Sequence, residues 1–220
     1  MLKKEIENII KTNCYDLSFK KKKYIYYQDL NENTIGTLAF GISRYGIPHS
    51  LFVNVNVGLI YKDINKILVD LLGNDYDFFK DGIAMGLTSL GYLMPDKSYK
   101  EWQFIESTNH SDNINEMFES IKKYALPLFD RFLNIDNFEE ALIFNKLHST
   151  ISRLLLPIIY YLQGNPQMGI DYINSYIAKR QQKEIDSWNP ELINSVSSKN
   201  IDSFYLEFIE RYKELINREK

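Results

Sequence analysis

Between Leu51 and Tyr61 the chain alternates strictly. Leu51, Val53, Val55, Val57 and Leu59 fall on one side, and Phe52, Asn54, Asn56, Gly58 and Ile60 on the other. A period of two predicts an antiparallel strand with one face on a core. Thr34 to Ser43 repeats the pattern, with Leu38, Phe40 and Ile42 opposite Thr37, Ala39 and Gly41. Tyr24-Ile25-Tyr26-Tyr27 is rich in strand-forming residues. The turn signals Asn31-Glu32-Asn33 and Arg44-Tyr45-Gly46-Ile47-Pro48 separate these segments. A short amphipathic helix is expected over Leu2 to Thr12, where Leu2, Ile6, Ile9 and Ile10 share a face. The opening is therefore a helix followed by a three-strand meander. A helix over Asp63 to Leu72 follows, with Gly73 placed as its C-terminal cap. Gly82, Gly86 and Gly91 argue against a helix over Ile83 to Tyr92, so a strand is expected there, and another over Trp102 to Ile105.

From residue 113 the period becomes helical. Asn113 with Glu116, and Asp136 with Glu139, have capping-box spacing. Pro127 sits inside a helical stripe and should kink or split it. Ile151 to Leu162 is apolar nearly all round, which predicts a helix buried on most sides. Asn165-Pro166 is a strong helix start, repeated at Asn189-Pro190. The stripe Ile201, Phe204, Tyr205, Phe208, Ile209, Tyr212, Leu215, Ile216 predicts a docked final helix. Strands first and helices after read as α+β. The expected architecture is an N-terminal helix and an antiparallel sheet of four to five strands, followed by a C-terminal helical bundle packed on it. A boundary near residue 110 divides a helix-plus-sheet subdomain, 1–110, from a helical subdomain, 111–220. No Gly/Ser/Pro-rich linker separates them, so one cooperative unit is expected.

Composition adds compartment and origin. Of 220 residues 45% are hydrophobic and 25% charged, which excludes collagen-like, disordered and disulfide-scaffold classes. The net charge of −3 supplies no general field for a polyanion. Lys outnumbers Arg, and Ile and Asn are abundant, as an AT-rich and bacterial genome would give. The same bias favours the 16 Tyr and 13 Phe. One cysteine, Cys14, permits no internal disulfide. The start has no apolar signal-peptide region. The longest nearly apolar run, Leu154 to Leu162, falls far short of the roughly 20 residues that span a bilayer. A cytoplasmic location without a membrane partner is expected, and the sequon Asn109-His110-Ser111 then has no meaning.

Little catalytic chemistry is visible. His49, His110 and His148 are far apart, and no paired-cysteine or H-E-x-x-H signature accompanies them. The glycines form neither a dinucleotide nor a P-loop fingerprint. Gly86-Leu87-Thr88-Ser89-Leu90-Gly91 lacks nucleophile-elbow spacing. Asp75, Asp77 and Asp81 fail the calcium-loop template at Phe79. No cofactor or metal is implied. Lys20 to Lys23 beside Tyr24, Tyr26 and Tyr27 is the one stretch suited to nucleic acid. It reads better as a charge run that protects a strand edge. Phe52, Asn54 and Asn56, on the second face of the clearest strand, form a mixed polar and aromatic surface able to bind a ligand or protein. Trp102 and Trp188 are candidate interface anchors. His110, in a polar loop, is the acid/base candidate if the chain is an enzyme with its site between sheet and helices.

Ile159-Tyr160-Tyr161-Leu162-Gln163-Gly164-Asn165, followed by Gly169-Ile170-Asp171-Tyr172-Ile173, resembles the turn of a tetratricopeptide helix hairpin. There is no second copy at the repeat's period. Phe19-Lys20-Lys21-Lys22 entering a strand, the Leu51 to Leu59 strand, Trp102-Gln103-Phe104 and the Pro127-bearing helix also resemble, in their order, small bacterial proteins related to polymorphic-toxin immunity proteins. That resemblance implies a protein that binds and neutralises a toxin or pairs with a neighbour, usually without catalysis, and assigns no functional residue. The leading expectation is therefore a protein-binding module. An enzyme of unrecognised type and a nucleic-acid binder are the alternatives.

Overall fold

The computed structural model describes residues 2–72, 85–143, 152–186 and 197–218. The elements are α1 (Leu2–Asp16), β1 (Lys20–Lys22), β2 (Ile25–Asp29), β3 (Thr34–Ser43), β4 (Ser50–Tyr61), α2 (Lys62–Leu72), β5 (Met85–Ser89), β6 (Trp102–Ile105), α3 (Ser111–Ser120), α4 (Leu126–Arg131), α5 (Ile135–Ile143), α6 (Ser152–Leu162), α7 (Pro166–Asp186) and α8 (Ser197–Arg218). This is an α+β arrangement of an N-terminal helix, an antiparallel sheet and several C-terminal helices. Two compact units divide the chain discontinuously: Met1–Lys62 with Gly82–Ser149, and Asp63–Asp81 with Thr150–Lys220. This grouping does not follow a boundary near residue 110. Helices α3 to α5 group with the sheet, and α2 groups with the later helices.

In the first unit the strands run β1-β2-β3-β4-β5, with β6 also paired to β4. β3 covers one edge of β4 from Thr34↔Tyr61 to Ser43↔Phe52. The other edge is shared. β6 pairs with Ser50 to Val53, and β5 pairs with Asn56 to Leu59. The odd-numbered side chains of β4 form the core face. Leu51, Val53, Val55, Val57 and Leu59 are at most 2% exposed. Burying a side chain of this kind contributes about 1.5–3 kcal/mol. Helices α3 and α4 of the same unit pack on this face. Phe118 of α3 meets Phe40, and Phe129 of α4 lies so close to Gly36 that a Cβ there would stand 3.0 Å from its ring.

Local chemistry moved several element ends. α1 continues to Asp16, beyond the expected Thr12, because Cys14 extends the buried row Leu2, Ile6, Ile10. It ends in a Schellman motif: the Phe19 N–H donates to the Cys14 carbonyl at 2.9 Å and the Ser18 N–H to Tyr15 at 2.9 Å. Ser18 takes the left-handed position, φ 65°, that usually selects glycine. Lys20–Lys22 is itself a strand, so the sheet has six. The strand expected over Ile83 to Tyr92 is β5, closed by a 3-10 turn at Leu90–Leu93. Asn113 does not cap α3. Asn109 accepts the Ser111 N–H at 2.9 Å, while the Asn113 amide donates to the Gln103 carbonyl. At α5 the Asp136 N–H donates to Asn134 Oδ1 at 2.8 Å, so Asn134, just before the helix, satisfies one of its orphan donors. Pro127 splits its helix through a π turn at Ile121–Ala125, where the Leu126 N–H donates to the Ile121 carbonyl. The widened turn leaves the proline, which has no N–H, in the first turn of α4.

In the second unit α6 and α7 form a helix hairpin. Leu154, Leu155, Leu156, Ile158, Ile159 and Tyr160 are all buried, as the apolar run requires. Gly164, φ 77°, closes α6 in a second Schellman motif, with the Asn165 N–H on the Tyr160 carbonyl at 2.8 Å. Pro166 then opens α7. Tyr212 of α8 is fully buried and donates its hydroxyl to the Pro157 carbonyl at 2.7 Å. Gly169 makes room for it: a Cβ there would lie 2.3 Å from the Tyr212 oxygen. Arg211 donates to the Leu71 carbonyl at 3.0 Å, which satisfies the C-terminal end of α2. The Gly73 cap, the Asn189-Pro190 start and the side chains of Ile201, Phe204 and Tyr205 lie outside the described residues.

Gly169→Ala should destabilise the protein, although Gly→Ala in a helix ordinarily gains about 1 kcal/mol. Tyr212→Phe leaves the Pro157 carbonyl without that donor and should cost about 1–3 kcal/mol. Because both changes act at one contact, the double variant should lose less than the sum of the two, read by urea unfolding.

Candidate functional site

The end of the sheet at the β3–β4 connection carries exposed aromatic side chains held by hydrogen bonds. The connection begins with a tight turn in which the Ile47 N–H donates to the Arg44 carbonyl at 3.0 Å. Tyr45 and Gly46 both have positive φ, 46° and 71°, as a type I′ turn requires. Glycine is suited to that geometry and tyrosine is not. Among the described residues, four of the six non-glycine positions with positive φ, namely Tyr45, His49, Lys97 and Ser107, lie in the connections between β3 and β4, between β5 and β6, and after β6. Backbone held in such conformations concentrates at functional sites.

The turn places the Tyr45 ring against Phe52, with centroids 5.3 Å apart. The Tyr45 hydroxyl donates to Glu101 Oε1 at 2.7 Å, and Tyr99 donates to the same oxygen at 2.9 Å. Two tyrosines thus share one carboxylate oxygen, and Phe52 packs on one of them; Tyr45 is 63% and Tyr99 54% exposed. Desolvation of its ring, then the hydrogen bond to Glu101 and the neighbouring Tyr45 hydroxyl, push the Tyr99 phenol well above its ordinary range.

Asn54 anchors the segment that leads to Glu101. It is buried, and its amide donates to Ser89 Oγ and to the Lys100 carbonyl, both at 2.8 Å. It stands where the partner of β4 changes from β6 to β5, so it joins the ends of the two strands. At Gly91 the same loop folds so close that a Cβ would meet the Ser98 carbonyl at 2.2 Å.

The five residues singled out in the sequence separate in space. Phe52 belongs to the aromatic cluster, and Asn54 lies beneath its anchor. Asn56 is half-buried and faces Ser89 across the strands. Trp102 and His110 belong to the opposite, core side. Trp102 is 2% exposed and pairs with Val53; its Nε1 has no hydrogen-bond partner among the described residues. His110 is buried with its ring edge-on to Phe104, centroids 5.6 Å apart, and Nε2 is 4.0 Å from Glu5 Oε1. Tyr45, Tyr99 and Glu101 escaped sequence reading. Arg44-Tyr45-Gly46 reads only as a turn, and Tyr99 and Glu101 lie outside any periodic segment.

Beside the cluster, under the turn, is a cavity of about 490 Å³ whose lining includes Leu2, Arg44, Ile47, His49 and Glu106. His49 Nδ1 is 2.8 Å from Glu106 Oε2. That hydrogen bond, with the charges of His49 and Arg44, holds the Glu106 carboxyl below its usual range.

Other candidate chemistry is placed as follows. Cys14 is fully buried, and burial pushes its thiol up to about 12, so it is not a thiolate near neutrality. Lys20–Lys22 forms the edge strand with all three side chains exposed. Tyr26 beside it is 3% exposed, so its ring belongs to the core. Among the described residues no group of three His, Cys, Asp or Glu side chains could hold a metal ion. None of the described helices is long and apolar enough to cross a membrane. Asp75, Asp77, Asp81, His148 and Trp188 lie outside the described residues. Comparison with protein-family models, curated proteins and solved structures returns no match.

Asn54→Ala removes the donor to the Ser89 hydroxyl and the Lys100 carbonyl, and should cost about 1–3 kcal/mol in chemical denaturation. In a carbon-13 NMR titration the Glu106 carboxyl should titrate below an ordinary glutamate. His49→Ala should move it back up, since it removes the first cause of the shift.

Proposed function

We propose that this chain is a non-catalytic, cytoplasmic protein-binding module, acting as bacterial immunity-type proteins do to neutralise a partner. The observation that carries this reading is the ordered aromatic cluster of Tyr45, Phe52 and Tyr99 on Glu101. Exposed tyrosines supply large contact area with few rotatable bonds and concentrate where binding energy is concentrated. Here their hydroxyls are already anchored, so little ordering cost remains at association. Ile105, 44% exposed, stands on the same sheet face as Phe52 and widens the apolar area. The resemblance in element order to immunity-related proteins points the same way.

The test is affinity capture from native lysate at low and high salt, with wild type and a Tyr45→Ala/Tyr99→Ala variant compared. A stoichiometric partner should survive high salt on wild type and be lost on the variant. The purified partner should lose its own activity when bound. A partner that binds both forms equally would remove the cluster from the interface, and one that binds yet stays fully active would end the immunity reading.

A further inference from the structure

We infer that the Tyr45–Tyr99–Glu101 cluster receives an arginine side chain from a basic segment of the partner protein. This rests on the protein-binding reading above and adds the chemistry that the site selects. Each phenol has one proton. Both protons are directed at Glu101 Oε1. The oxygen sites those two protons leave over are Glu101 Oε2 and the lone pairs of the two phenol oxygens, all of them acceptors. The occupant must therefore bring donors only.

The charge of the cluster has the same implication. Among the described residues Glu101 makes no ion pair. Its neighbour Lys100 is bound to Glu116 at 2.8 Å, and Arg44 lines the cavity that contains Glu106. Glu101 is only half-exposed, so its charge is weakly compensated by solvent and attracts a cation more strongly than an open surface carboxylate. Tyr45 and Phe52 add an aromatic wall. A guanidinium carries five donors in one plane and stacks on aromatic faces, and it meets both demands together. An ammonium is a compact point charge and meets only the first. A phosphate or nucleic-acid backbone brings acceptors and negative charge, and is repelled.

A random peptide library displayed on phage and panned against the full chain gives a direct test. The strongest peptide is then synthesised with arginine and with its uncharged isostere citrulline. Both are measured by calorimetry on wild type, Glu101→Gln and Tyr45→Ala. Glutamine keeps an oxygen for the two phenols, and unchanged Tyr99 ring resonances confirm that the cluster still forms. Arginine should be enriched in the selected peptides. Citrulline and Glu101→Gln should each weaken binding about tenfold or more, with little further loss when combined. Selected peptides that require Tyr45 but tolerate citrulline and Glu101→Gln would overturn the arginine inference and leave the protein-binding reading intact. If no peptide is selected, or if binding is indifferent to Tyr45→Ala, the protein-binding reading itself fails.

Discussion

Everything in the first unit depends on the register of β4. Its odd-numbered side chains fill the core, and its even-numbered ones supply Phe52 and Asn54 to the opposite face. A slip of one residue would exchange the two sets and bury asparagine where valine now packs. Burial of five branched aliphatic side chains on one strand makes that exchange expensive. The same strand carries β3 along one edge and β5 and β6 end to end along the other, so its register sets theirs. The aromatic cluster inherits its geometry from this arrangement. Tyr45 is placed by the turn entering β4, and Glu101 by the segment that Asn54 ties between β5 and β6.

Regular burial was legible in the sequence. β3, β4, α2 and the buried run of α6 follow directly from apolar spacing, because hydrophobic periodicity and the fold answer to the same constraint. Helix ends were less legible. At α3 and α5 the first-turn N–H groups of Ser111 and Asp136 donate to Asn109 and Asn134, each two residues earlier, while Asn113 and Asp136 themselves lie inside the helices. A polar residue near a helix start can act as a cap or as a member of the first turn, and spacing alone does not distinguish them. Lys20–Lys22 forms a strand for a tertiary reason, pairing with Ile25–Tyr27, that its own composition opposes.

The candidate site was half visible. Asn54 stood out as a polar residue within a strand, but its amide turns inward to join two strand ends. Tyr45, Tyr99 and Glu101 come together from positions 54 or more residues apart in the first case and outside any element in the others, so no periodicity marks them. What betrays them in three dimensions is shared use of one carboxylate oxygen, together with left-handed backbone at a tyrosine. Neither is written in a local pattern.

The discontinuous division of the chain has a consequence for synthesis. Helix α2, with Ile64, Leu68, Leu71 and Leu72 buried, belongs to a unit whose other helices begin after Thr150. At ordinary ribosomal rates those helices emerge on the order of ten seconds later. The sheet unit has all of its residues once Ser149 has left the ribosome, while the unit that holds α2 still lacks the helices that follow. The nascent chain thus passes through a stage in which every residue of one unit has been made and only the first segment of the other.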